Sequence, residues 1–127
     1  MADSQIKVLL VEDDLMLCEM YQMKFESEGF LVWKGNNGVE GLKLLSEKGV
    51  PDILLLDVIM PQMDGFTMLA KVKENPAWKN IPVILLTNLG QENDVKKGIA
   101  MGANDYLVKA NFTPAQVVEK VKALLKK

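Results

Sequence analysis

The chain has no histidine, no arginine and a single cysteine among its 127 residues. With no imidazole and one thiol, a structural zinc site and a Ser-His or Cys-His nucleophile are both excluded. All 15 basic residues are lysines, so no guanidinium fork is available to read base edges or clamp phosphates bidentately. The formal net charge of −2 also argues against nucleic acid as a direct partner. Long apolar runs are missing too: Ile53–Leu56 and Val83–Leu86 are far too short to span a bilayer, so no membrane association is expected. Met1–Gln5 has neither a basic stretch nor a cleavable apolar run, and no export is expected. Cys18 has no partner for an internal disulfide, which fits a reducing cytoplasm. The chemistry left to this chain belongs to carboxylates, hydroxyls, lysines, amides and a hard cation.

What is present is regular alternation. Hydrophobic residues make up 49% and charged residues 25%, enough for one packed core and a polar surface in a domain of ordinary size. Five short apolar runs, Lys7–Val11, Phe30–Lys34, Ile53–Leu56, Val83–Leu86 and Tyr106–Lys109, predict strands. The first, third and fourth are nearly continuous in Val, Ile and Leu, as strands buried on both faces should be. Between them the spacing turns helical. Leu17, Met20, Tyr21 and Phe25 form one stripe, ending at Gly29. Val39, Leu42 and Leu45 form a second, and Phe66, Leu69 and Val72 a third that ends near Asn75-Pro76. Val95, Ile99 and Met101 mark a weaker helix interrupted by Gly98. Val117, Val121, Leu124 and Leu125 mark the last, with Thr113 as N-cap and Pro114 at the first helical position. Alternating β and α elements with short connections predict a (βα)₅ doubly wound α/β fold around a five-stranded parallel sheet.

In open α/β sheets, ligands gather beyond the carboxyl ends of the strands. Those ends carry Glu12-Asp13-Asp14, Asp57, Thr87-Asn88 and Lys109. Clustered carboxylates repel one another and raise their pKa values. A divalent cation relieves the repulsion, and oxygen-only ligands favour Mg²⁺ over softer metals. Lys109 adds a second positive charge and Thr87 a hydroxyl. Such a set is suited to a carboxylate nucleophile accepting a phosphoryl group. Asp14 is expected as a capping residue rather than a ligand, and Asp64 as part of a turn with permissive Gly65. The methionines are expected to fill the core, and Cys18 to be an inert helix residue.

In order along the chain, the segments Val-Glu12-Asp13-Asp, Leu-Leu-Leu-Asp57-Val-Ile-Met-Pro61-Gln-Met-Asp-Gly65, Ile-Leu-Leu-Thr87 and Asp-Tyr106-Leu-Val-Lys109 resemble the receiver domains of two-component response regulators. The resemblance covers essentially the whole chain as a single domain, residues 1–127, and implies the flavodoxin-like strand order 2-1-3-4-5. It also implies that Asp57 is the phosphoacceptor, and that Glu12, Asp13, Asp57 and the backbone carbonyl of Ile59 hold Mg²⁺. Thr87 and Lys109 would meet phosphoryl oxygens, and Tyr106 would be the switch aromatic that moves inward with Thr87. The implied partners are a sensor histidine kinase or phosphotransfer protein and a downstream protein target. The implied assembly is a monomer or a phosphorylation-linked dimer.

Departures from the family pattern carry their own expectations. Ala110 stands where proline usually follows the lysine, often after a cis bond. A cis peptide before alanine costs roughly 2.5–4 kcal/mol, so a trans bond is predicted. Asn88 is larger than the usual alanine or glycine and is expected to cover part of the acceptor. Ile59 and Leu89, two positions beyond Asp57 and Thr87, cannot orient an attacking water, which predicts a comparatively long-lived phosphorylated state.

Four other readings compete. A haloacid-dehalogenase-type phosphatase needs a second acid two residues beyond the nucleophile, where this chain has Ile59. A flavodoxin-like cofactor protein would need a phosphate cradle in place of an acidic rim. No Gly-x-x-x-x-Gly-Lys-Ser/Thr loop is present. A receiver-like interaction module that works without phosphorylation remains the main alternative.

Overall fold

A computed structural model describes residues 5–60, 62–88 and 92–126, with the backbone alone at Glu92 and Asn93. Pro61 and Leu89, both singled out above, lie outside the described residues. The strands are β1 (Lys7–Val11), β2 (Leu31–Gly35), β3 (Ile53–Asp57), β4 (Val83–Thr87) and β5 (Asp105–Val108), and each is followed by a helix. The helices are α1 (Leu15–Ser27), α2 (Gly38–Lys48), α3 (Gly65–Glu74), α4 (Glu92–Ala100) and α5 (Pro114–Leu125). The sheet is parallel throughout, in the order β2-β1-β3-β4-β5. The expected α/β architecture and strand order are both observed.

Alternation along each strand divides the core in two. Val8, Leu10, Ile53, Leu55, Ile84, Leu86 and Leu107 face α1 and α5, meeting Cys18, Tyr21, Phe25, Val117 and Val121. Leu9, Val11, Leu54, Leu56, Val83 and Leu85 face the other way, against Leu45, Met68, Leu69 and Val72 of α2 and α3. β3 and β4 are buried along their whole length, as central strands covered on both faces must be.

Helix starts are set by side-chain caps. Asp14, Asn37, Asp64 and Thr113 each accept a hydrogen bond from a first-turn backbone N–H. At Thr113 the Gln116 side chain also receives the Thr113 N–H at 2.8 Å, completing a capping box ahead of Pro114.

Several expectations are corrected. β2 begins one residue later than predicted, at Leu31, and reaches Gly35. β5 ends at Val108, and Lys109 opens a short 3₁₀ turn through Asn111. Met20, Val39 and Ile99 are exposed, not core residues. On α1 the inward face is Cys18, Tyr21 and Phe25, and Met20 lies about half a turn away from it. On α2 the inward face is Gly38, Gly41 and Leu45, so an apolar stripe that skips glycine misjudges the helix rotation. The methionines divide: Met60 and Met68 are buried, whereas Met16, Met20 and Met23 stand on the outer surface of α1.

Candidate functional site

Strand register brings the sequence-separated polar residues together. Val11 pairs with Leu56, so Glu12 follows β1 at the level where Asp57 ends β3. The Glu12 N–H donates to the Gly35 carbonyl at 3.0 Å, and the Val58 N–H to the Leu86 carbonyl at 3.0 Å, fixing both strand ends. Thr87 closes β4, and Lys109 follows directly on β5. Among the described residues, the buried polar or charged side chains are Glu12, Asp57, Thr87 and Lys109. All four belong to this rim. Burying these polar groups together concentrates their electrostatic cost at one place.

Lys109 ties the carboxylates together. Its Nζ lies 2.7 Å from Glu12 Oε1 and 3.2 Å from Asp57 Oδ2. The other Glu12 oxygen, Oε2, accepts the Asp14 N–H at 3.1 Å. Asp14 meanwhile caps α1, its Oδ1 accepting the Leu17 N–H at 3.1 Å, as expected of a capping residue. Burial, reinforced by the Glu12 charge and the adjoining Asp13 carboxyl, pushes the Asp57 pKa up to about 8, against the lowering effect of Lys109. Burial alone would lower the Lys109 pKa, but its contacts with Glu12 and Asp57 raise it.

The donor set fits a hard cation. One oxygen each from Glu12, Asp13 and Asp57 lies within 4.8 Å of the others. One lysine cannot neutralise three carboxylates, and Glu12 Oε1 is buried without a hydrogen bond of good geometry. These residues line a cleft of about 250 Å³ together with Asp14, Ile59, Asn88 and Lys109. A ligand group made of carboxylate oxygens, with no imidazole nitrogen or thiolate sulfur in it, matches Mg²⁺ chemistry.

Three neighbours complete the site. The side chains of Thr87 and Tyr106 are hydrogen-bonded to each other, while burial raises the Tyr106 pKa. Ile59 is 57% exposed at the lip of the cleft. Asn88, also exposed, lines the same cleft. The described residues include no cis peptide, so the bond before Ala110 is trans as predicted.

Sequence reasoning missed why Gly65 is glycine. Its φ is not positive; the left-handed residue of this turn is Gln62, at 68°. A Cβ on Gly65 would run into the Asp57 carbonyl oxygen and stand 2.8 Å from Val58 Cα. Gly65 thus lets the start of α3 press on the main chain of Asp57 and Val58, and its N–H donates to the Val58 carbonyl at 2.8 Å. A glycine opening a helix beside an Asp cap was the available signal.

A doubly wound sheet with an acidic, lysine-bridged pocket at the carboxyl end of its central strand defines a class, and sequence comparison assigns the family. The profile of the response regulator receiver domain matches residues 8–122. The chain belongs to that family. It is 35% identical over 122 residues to the uncharacterized transcriptional regulatory protein YclJ of Bacillus subtilis, covering 96% of this chain and 52% of that protein. It is 37% identical to the transcriptional regulatory protein SrrA of Staphylococcus aureus, covering 95% and 48%. The chain therefore spans about half the length of the curated relatives it matches. Among solved structures, chemotaxis protein CheY4 of Vibrio cholerae superposes with a TM-score of 0.87 at 28% identity, covering 94% of this chain and 98% of that one. The receiver domain of Francisella response regulator 1452 gives 0.87 at 30% identity, covering 96% and 98%. No helix among the described residues is long and apolar enough to cross a membrane.

Proposed function

We propose that this receiver domain accepts a phosphoryl group on Asp57 in the presence of Mg²⁺, and that the modification alters a surface read by a downstream protein. The supporting observation is the placement of Asp57: 3% exposed, 3.2 Å from Lys109 Nζ and flanked by the Glu12 and Asp13 carboxylates.

An Asp57 carboxylate oxygen attacks phosphorus while the bond from phosphorus to the donor breaks, and the donor leaves with the electron pair. The donor is the phosphohistidine of a sensor kinase or phosphotransfer protein, or a small acyl phosphate. Glu12, Asp13, Asp57 and the Ile59 carbonyl are the residues that would hold Mg²⁺, which would supply positive charge against the phosphoryl oxygens. Lys109 supplies a fixed positive charge to the same oxygens, and Glu12 keeps its ammonium aimed at the pocket. The Thr87 hydroxyl donates to a phosphoryl oxygen, and its link to Tyr106 carries the change toward α4 and β5. Exposed apolar Ile59 shields the acyl phosphate and offers no hydrogen bond to orient water.

Intact-mass measurement after incubation with Mg²⁺ and acetyl phosphate tests the reading. One phosphoryl adduct, not formed when EDTA is present from the start and absent in Asp57→Asn, is expected. An unmodified wild type would favour a module that signals without phosphorylation. Decay of the adduct tests the shielding: Ile59→Asn should dephosphorylate several-fold faster, about 1 kcal/mol in barrier for a gained water contact. Equal or slower decay would contradict the role given to Ile59.

A further inference from the structure

Helix α4 meets the sheet through a glycine. Across residues 94–100, the buried position is Gly98, and the remainder are half-buried or exposed. Glycine inside a helix weakens it relative to alanine, so its presence calls for a packing reason. A Cβ at Gly98 would stand 2.5 Å from Leu85 Cδ1, 3.3 Å from Tyr106 Cδ2 and 3.7 Å from Phe66 Cε1. Leu85 and Tyr106 are direct register partners on β4 and β5. The glycine therefore sits over the pair that includes the tyrosine bonded to Thr87.

We infer that Gly98 is a positioning residue: its missing side chain leaves the space that lets the Tyr106 ring pack under α4 with its hydroxyl at Thr87. This rests on the reading of Thr87 and Tyr106 as the switch pair. Leu85 is fully buried and has little room to yield to an added methyl. Phe66, with Lys97 Nζ 4.4 Å from its ring centroid, backs α4 from the side of α3. Tyr106 is only half-buried. Displacement falls on the least confined neighbour, so Gly98→Ala drives the ring toward solvent and parts it from Thr87.

The chain has two tyrosines, which makes 3-fluorotyrosine labelling and ¹⁹F NMR of the full chain a direct test. Tyr21, 2% exposed on the opposite face of the sheet, reports whether the fold is intact. Thr87→Ala defines the Tyr106 resonance without its hydrogen bond. In Gly98→Ala without ligand, the Tyr106 signal should move at least half-way to that position while Tyr21 stays in place. Shortening the obstructing neighbour, in Gly98→Ala/Leu85→Val, should return it toward the wild-type position. A Tyr106 signal unmoved in Gly98→Ala overturns the inference. So does a double variant that is unfolded or still displaced, since the glycine would then serve folding alone. Acetyl phosphate with Mg²⁺ tests the underlying reading separately. A wild-type Tyr106 signal that ignores phosphodonor, although Gly98→Ala displaces it, defeats the switch reading and leaves the packing role standing.

Discussion

At the scale of single residues, Asp57 and Lys109 have opposite energetic signs. An unfolded aspartate titrates near ~3.9, whereas folded Asp57 is raised to about 8 by burial and by Glu12. The raised value means the folded state holds the proton more tightly than the unfolded chain. The stability this contributes is complete below the unfolded pKa and is lost as pH rises through the folded one. Metal-free protein should therefore lose stability to urea between about pH 4 and 8. Asp57→Asn should flatten that slope and stabilise the metal-free protein at pH 8 by ~1–3 kcal/mol, as the removal of a buried, repelled charge should. A mutant with the wild-type slope would place the titration elsewhere. Lys109→Ala leaves Glu12 and Asp57 without their buried cation, and chemical denaturation should report a loss of about 3–5 kcal/mol. Combining it with Asp57→Asn should recover part of that loss, because the two side chains share one interaction.

At the scale of elements, glycines determine how closely the helices approach the sheet. Gly41 of α2 has no room for a Cβ between Met68 and the Val11 methyl, and Gly65 has none beside the main chain of Asp57 and Val58. Gly65→Ala must shift backbone rather than a flexible side chain. A destabilisation of about 2–4 kcal/mol is expected, with phosphoryl transfer lost or strongly slowed even in molecules that remain folded. Thr113→Ala is the matching control at the far end of the chain. Losing its capping box should lower stability by ~1 kcal/mol and leave the yield of phosphorylated protein unchanged. A reduced yield in that variant would tie α5 to Asp57 in a way its contacts do not show. The apolar periodicity of α1, α2 and α4 pointed to Met20, Val39 and Ile99, all of them exposed. On α2, and on α4 across residues 94–100, the buried faces are built partly or wholly from glycine, which leaves no apolar side chain to mark them.

At the scale of the molecule, a cation is the natural counterweight to the charge that folding collects. Binding to the folded state alone adds about 1.4 kcal/mol of stability at tenfold excess over Kd. For a domain of this size that raises Tm by roughly 4–7 °C. Millimolar Mg²⁺ should produce such a rise in the wild type and little or none in Asp13→Asn, as followed by thermal denaturation. Equal responses in the two proteins would move the cation away from this cleft. Because the same strands that carry Asp57 and Thr87 also form both layers of core, a change at the rim has rigid elements through which to reach α4 and β5.

The amino-acid sequence by itself determined the alternation of elements, the wrapped parallel sheet, and the polar residues at the strand ends. These depend on local periodicity, on capping and turn residues, and on a rule that places strand ends on one edge. It also marked Ala110 and Asn88 as departures. Only the tertiary structure decided which carboxylates meet, with Lys109 between Glu12 and Asp57, because register is a property of paired strands and not of any one segment. It alone explained Gly65 and Gly98, since a residue with no side chain leaves no apolar signal of its own. Its purpose is visible only in the atoms that crowd the place where a Cβ would be.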